Sequence, residues 1–331
     1  MNATLRSAMG VAIGSLLLLA GCSGPSWFAE RDASDLDRGT LPVPNVALSI
    51  PGLGPCTDSP DRTLRFDSSK PVVVLVHGCY GSSGLFRSLA QVLAFHGQQS
   101  ACFSYDDRDS MVKSSRELIT ALDALGGGMS NKSVTVIGHS QGALISRKAL
   151  VADRADAIAN RDLQLRLVTV SGPFSGIASA NQCGDPVTRK FTLGLIGPMC
   201  RLATGDKWNE ITYTSDFILK PGTLHPQVRD HLKVVTDERG TCRRVDGGSC
   251  LESDDVFSLS EQRHPIVDTA ARAKVEVVKA GHVEIVGDKR TAPVKLIALL
   301  QQNGILNATA PQRVADLHLL LARLYGAGDS P

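Results

Sequence analysis

Short β-branched apolar runs alternate with stretches of helical periodicity along most of the chain. "PVVVLVHG" is a continuous apolar run that ends at Gly78, and "GLFRSLAQVLAFHG" follows with Leu85, Phe86, Leu89, Val92 and Leu93 on one helical stripe closing at Gly97. The alternation repeats. "SACFSYD" precedes the helical "SSRELITALDAL", and "SVTVIGHS" precedes "QGALISRKALVADR". "LQLRLVTVSGP", "HLKVVTDE" and "AKVEVVKAGH" are further strands, while "PVKLIALLQQ" and "RVADLHLLLARLYG" are helical. Strands apolar throughout, rather than at alternate positions, are buried on both faces. The expected architecture is therefore α/β, a mostly parallel central sheet with helices on both sides. Residues 175–231 break the rhythm with two cysteines and the apolar "FTLGLIGPMC", and are expected to form a cap or lid insertion over the carboxyl edge of the sheet.

The first residues fit neither pattern. "MNATLRSAMGVAIGSLLLLAGCSG" carries one early arginine and an apolar run too short for a membrane span, as in a secretory signal. Its end, Leu19-Ala20-Gly21-Cys22, resembles the lipobox of bacterial lipoproteins, which implies lipidation at Cys22 after removal of residues 1–21. Ser23 stands where an inner-membrane retention signal carries Asp, so the resemblance implies the outer membrane of a bacterial envelope. Residues 22–45, polar and proline-bearing, are expected to be a flexible tether, and residues 46–331 the folded domain.

Export changes how the seven remaining cysteines are read. None has metal-ligand spacing, so no metal or cofactor is expected, and an oxidising compartment favours disulfides. Cys242 and Cys250 flank the turn-rich "CRRVDGGSC" and are expected to staple a hairpin, Cys183 and Cys200 to close the insertion. Among Cys56, Cys79 and Cys102 one more pair is available, with the partners left open. The net charge of +2, with basic residues scattered, argues against nucleic-acid binding.

The candidate chemistry centres on "GHSQG", Gly138 to Gly142, a G-x-S-x-G placed between a strand and a helix. In a nucleophile elbow a serine occupies such a turn, and the flanking glycines admit the neighbouring backbone. Ser140 needs a base to take its proton. Of the histidines that follow, His282 lies in "AGHVEIVG" just past the last strand, within reach of such an elbow, with His264 a second choice. An earlier strand ends in "VHGCYG", which supplies a loop beside the elbow.

Together these segments resemble bacterial lipases and esterases of the α/β-hydrolase superfamily, over roughly residues 70–287. The resemblance implies the α/β-hydrolase fold and a serine carboxylic-ester hydrolase acting on acyl or lipid esters. It implies a Ser140, His282 and Asp254 triad, with Asp254 taken from "CLESDDVFSLSEQ" and Asp237 and Asp255 as alternative acids. It implies an oxyanion hole from the backbone N–H groups of Gln141 and Cys79, with Tyr80 the alternative donor and His77 shaping the loop. "LVTVSGPFSG" is similar to a lipase stretch with Phe174 in place of a histidine. Tyr80, Phe174, Phe191 and Leu195 are the expected pocket or lid residues. An acyltransferase on the same site, or a catalytically silent lipoprotein that binds lipid or a partner, are the alternative readings. The expected partners are a small-molecule or lipid ester and, through the lipid anchor, a membrane.

Overall fold

The computed structural model describes residues 40–79, 81–152, 158–178, 205–288 and 290–326. Residues 22–39 of the expected tether with the lipidation site, the pair Cys183 and Cys200, and the pocket candidates Tyr80, Phe191 and Leu195 lie outside them. The strands are β1 (Val46–Leu48), β2 (Leu53–Gly54), β3 (Leu64–Phe66), β4 (Val72–Val76), β5 (Gln99–Phe103), β6 (Ser133–His139), β7 (Gln164–Val170), β8 (Val228–Asp237), β9 (Cys242–Asp246), β10 (Ser249–Ser253) and β11 (Ala273–Lys279). A seven-stranded sheet runs in the order β11-β8-β7-β6-β4-β5-β2. Every pairing in it is parallel except that of β2 with β5. The small pairs β1–β3 and β9–β10 stand apart from it.

Period-two alternation divides the strand residues between two cores. In β4, Val72, Val74 and Val76 join one cluster and Val73 and Leu75 the other. The first cluster packs against α2 (Met111–Gly128) and α3 (Gln141–Ala149), through residues such as Leu118, Leu122, Leu144 and Ile145. The second packs against α1 (Arg87–Phe95), α7 (Val294–Gln302) and α8 (Val314–Tyr325), through Leu89, Leu93, Leu296, Leu300 and Leu317. Between these lie the short α4 (Asp216–Leu219), α5 (Leu259–Gln262) and α6 (Pro265–Asp268). This is the expected sheet covered on both faces.

Chain order reverses at β4, which has β5 on one side and β6 on the other. A crevice at the carboxyl ends of strands forms at such a switch point, and the loops after β4 and β6 border it. The described parts of the expected insertion are residues 175–178 and 205–231. The last of these, from Val228, belong to β8 of the central sheet, so the insertion ends sooner than expected. Residues 205–219 are docked on the first core. Trp208, Ile211, Phe217 and Ile218 are buried there, and the Ser110 hydroxyl, at the start of α2, donates to Glu210 Oε1 at 2.6 Å.

Among the described residues there are two disulfides. Cys242–Cys250 staples the β9–β10 hairpin as expected, and Cys56–Cys102 ties the loop after β2 to β5 in the buried second core. Cys79 is left as the thiol of the three. The Cys56–Cys102 bridge spans 46 residues and the hairpin bridge 8. On loop-closure entropy these lengths correspond to about 4 and about 2.5 kcal/mol. The double variant Cys56→Ser/Cys102→Ser should therefore lose more stability in urea unfolding than Cys242→Ser/Cys250→Ser. Equal losses would show that chain entropy does not govern these bridges.

Candidate active site

Ser140 occupies the sharp turn between β6 and α3 with φ 56° and ψ −124°, a left-handed conformation rare for a residue with a side chain. The turn is held because its N–H donates to the Val170 carbonyl at 2.9 Å and its carbonyl accepts from Ala143. Close packing explains the glycines around it. A Cβ on Gly142 would lie 2.3 Å from the carbonyl oxygens of Val76 and His77, and one on Gly138 would lie 2.3 Å from the Gly142 carbonyl. The elbow is thus pressed against the end of β4, and α3 starts immediately after the serine. Gln141 is its first residue, so the Gln141 N–H has no acceptor inside the helix.

The loop after β4 is set by its own contacts. The His77 ring is fully buried, stacks on Tyr105 at 4.4 Å and bonds the Gly78 carbonyl through Nδ1 at 2.8 Å. The Tyr105 hydroxyl donates to the His77 carbonyl at 2.7 Å. Desolvation holds the His77 ring below the usual histidine pKa, so it is a neutral structural group, as expected.

His282 follows β11 and reaches the elbow through its neighbour. His139 Nε2–H donates to the His282 carbonyl at 2.8 Å, and the two rings lie 4.8 Å apart. Phe257 packs edge-on against the His282 ring. Among the described residues no hydrogen bond joins the Ser140 hydroxyl directly to the imidazole. His264, the second choice, sits at the N-cap of α6 and is set toward the Ile218 carbonyl.

The carboxylate that bonds His282 differs from the expectation. His282 Nδ1 bonds Glu238 Oε1 at 2.9 Å, and not Asp254, Asp237 or Asp255. Glu238, the residue after β8, is fully buried and enclosed by donors. Its Oε2 accepts from the N–H groups of Val256 and Phe257 at 2.8 and 2.7 Å, its Oε1 from the Thr236 hydroxyl at 2.8 Å. Thr236 is bonded in turn to the Ser171 hydroxyl at 2.7 Å.

Asp254 supports the same histidine differently. Its carboxylate accepts from the N–H groups of Val283 and Glu284 at 2.9–3.1 Å, and its carbonyl from the His282 N–H at 2.9 Å. A Cβ on Gly281 would lie 2.0 Å from Asp254 Oδ2, so that position admits only glycine. Burial pushes the Asp254 carboxyl up, and the two backbone donors oppose the shift. Asp237 faces the other way, bonded to Arg239 at 2.7 Å, which lowers its pKa to about 2. Asp255 is exposed and accepts only from the Gly240 N–H, at 3.3 Å.

Alternation along β8 is the signal that separates these carboxylates. Glu238 shares a face with Thr236 and Val234, whereas Asp237 falls on the opposite one. Phe174, an expected pocket residue, is buried in the first core with its ring under the Lys233 ammonium at 4.7 Å. Lys207, absent from the sequence reading, lies buried beside the elbow. Its Nζ donates to Cys79 Sγ at 2.8 Å and Gln141 Oε1 at 3.1 Å. Nothing in "GDKWNE" distinguishes that lysine from a solvated one.

The mostly parallel sheet with its switch point and the strained serine elbow after β6 have the form of the α/β-hydrolase fold. The model of the class 2 lipase family matches residues 69–220, a span that holds Cys79, Ser140 and Gln141 but ends before Glu238 and His282. Among solved structures the chain is similar to the mature Bacillus licheniformis lipase BlEst2, at 16% identity over 72% of this chain and 94% of that one, with a TM-score of 0.46. It is similar to the Pyrococcus furiosus esterase Pf2001, at 13% identity over 89% and 99%, TM-score 0.45. A third is a thermophilic esterase from Thermogutta terrifontis, at 12% identity over 73% and 86%, TM-score 0.42. No curated protein matches the chain by sequence.

Two buried histidines make the fold acid-sensitive. Desolvation depresses His139 to about 3, helped by His282, and His231 to about 3, helped by Arg147 and Lys233. Both folded values lie below the unfolded one near 6.5, so their contribution is complete above that pH and is lost as pH falls below it. The expected slope is about 1.4 kcal/mol per pH unit for each ring. Urea unfolding between pH 7 and pH 5, above most carboxylate titration, should show stability falling. His231→Gln should remove its own share, about 1.4 kcal/mol per pH unit, from a slope to which the other desolvated histidines, His77 among them, also contribute. An unchanged slope would contradict this assignment.

Proposed function

We propose that the protein cleaves acyl or lipid esters through a Ser140–His282–Glu238 triad and a covalent acyl-enzyme. The observation that carries this reading is the buried Glu238–His282 hydrogen bond on the loop that rests on the strained Ser140 elbow. Glu238 fixes the proton on Nδ1, leaving Nε2 as the base, and stabilises the imidazolium that forms. With substrate seated, His282 Nε2 takes the Ser140 proton as Oγ attacks the ester carbonyl; catalytic hydrogen bonds often tighten only at that stage. The oxyanion is received by the backbone N–H groups of Gln141 and Cys79, the first already freed by its place at the start of α3. His282 then passes the proton to the leaving alcohol, and water activated by the same ring releases the acid. Asp254 holds the turn that carries His282. The N-terminal resemblance to a lipobox supports a lipid-anchored protein of the bacterial envelope, working where acyl lipids are the nearest esters.

The test uses a fluorophosphonate probe with mapping of the adduct, followed by p-nitrophenyl esters of increasing chain length. Ser140 should be labelled, and Ser140→Ala should abolish both labelling and turnover. Labelling elsewhere, or turnover that survives Ser140→Ala, would sink the reading. Longer acyl chains should be preferred if the substrate is a lipid.

The carboxylates can be ranked on the same assay. Glu238→Gln should lower kcat by about 10²–10⁴-fold through loss of the correct tautomer. Asp237→Asn should remain within about two-fold, because its partners are surface cations. Wild-type turnover by Glu238→Gln would return the acid to Asp254, which the sequence favoured, and comparable loss in Asp237→Asn would point to Asp237.

A further inference from the structure

We infer that Lys207 is a positioning residue for the oxyanion hole, a buried ammonium that fixes the spacing of its two halves; this rests on the ester-hydrolase reading above. The two backbone donors of that hole come from separate loops, Cys79 after β4 and Gln141 after β6. The β4–β6 register and the Gly142 contact bring these loops side by side, and the last fraction of an ångström that an oxyanion requires falls to the side chains around them. Lys207 Nζ donates to both Cys79 and Gln141 and forms an ion pair with a carboxylate from a third segment, the loop after β5. Cys79 Sγ lies at 2.8 Å, Gln141 Oε1 at 3.1 Å and Asp107 Oδ2 at 3.6 Å. The Lys207 side chain is 3% exposed and that of Asp107 20%, so the cation is shielded from water and its bonds are short of competition. Gln141 is held from its other end as well, since its Nε2 donates to the Asp107 carbonyl at 3.2 Å. Gln141, Asp107 and Lys207 thus form a closed ring of contacts, and Cys79 is attached to it through the ammonium.

The choice of side chains fits this role. A lysine is flexible, but buried between two acceptors and a carboxylate its ammonium is the apex of a tripod of contacts. Cys79 contributes a sulfur acceptor in a chain whose other described cysteines are in disulfides. A disulfide from Cys79 would draw its loop away from the ammonium. Lys207 lies in the described end of the insertion, so the tripod also links the insertion to the hole.

The experiment is a mutant cycle on the full chain, read as kcat and KM for a p-nitrophenyl ester, with thermal unfolding alongside. Lys207→Met should lower kcat by about 10–100-fold, below or near the effect of deleting one oxyanion donor, with KM within about two-fold. Lys207→Arg should recover part of the loss. Cys79→Ala/Gln141→Ala keeps both backbone N–H groups and removes both handles, so it should lower kcat similarly. Adding Lys207→Met to that background should cost nothing further. Full wild-type kcat in Lys207→Met, or losses that multiply across the cycle, would overturn the positioning role. If Lys207→Met does not fold, a wild-type kcat in Cys79→Ala/Gln141→Ala overturns it instead. A wild-type protein without Ser140 labelling or turnover would mark failure of the hydrolase reading itself, which is a separate result.

Discussion

The close approach of the serine turn to the end of β4 is the constraint on which the rest of the site depends. Gly142 stands where a Cβ would lie 2.3 Å from two carbonyl oxygens of Val76 and His77. That contact brings the loop after β4 and the first turn of α3 side by side, and it holds Ser140 in a conformation that costs on the order of 1–3 kcal/mol. Strain of this size persists only where surrounding structure over-determines it. Here the bonds from Ser140 N–H to Val170 and from Ala143 to Ser140, with two packed cores behind the sheet, provide that determination.

A second constraint comes from burying charge. Glu238 carries a carboxylate into the interior beside His282, and an unpaired charge there would be prohibitive. The segment from Val256 to Gln262 answers this need. Its backbone N–H groups at Val256 and Phe257 bond one oxygen, while Gln262 is bonded to Thr236, itself a partner of the other. The acid therefore depends on a loop almost twenty residues later in the chain, as the imidazole depends on it in turn. A carboxylate so enclosed makes few movements, which is what a group that orients a histidine must do.

Much of this was legible in the sequence. Continuous apolar runs gave the parallel sheet because burial on both faces leaves no polar alternation, and G-x-S-x-G between a strand and a helix gave the elbow because only glycine fits that approach. His282 was legible from its place after the last strand. The acid was not, because "VVTDE" places two carboxylates at one strand end and the deciding fact is which face each occupies. Asp237 meets Arg239 on the outer side, and Glu238 follows Thr236 inward. Lys207 was illegible for a different reason. Its partners are 66 and 128 residues away in sequence, and no local pattern encodes such a meeting.

Asp254 shows why a correct region can yield the wrong role. Both Asp254 and Glu238 are buried, both are close to His282, and each is paired with N–H groups. The difference lies in what each one holds. Glu238 bonds the ring nitrogen and sets the tautomer, whereas Asp254 bonds the backbone at Val283 and Glu284 and sets where the ring stands. A neutral acid at Asp254 would still accept from one of these N–H groups, so its raised pKa is compatible with its task. The two carboxylates thus hold different parts of one loop, Glu238 the ring of His282 and Asp254 the backbone that carries it.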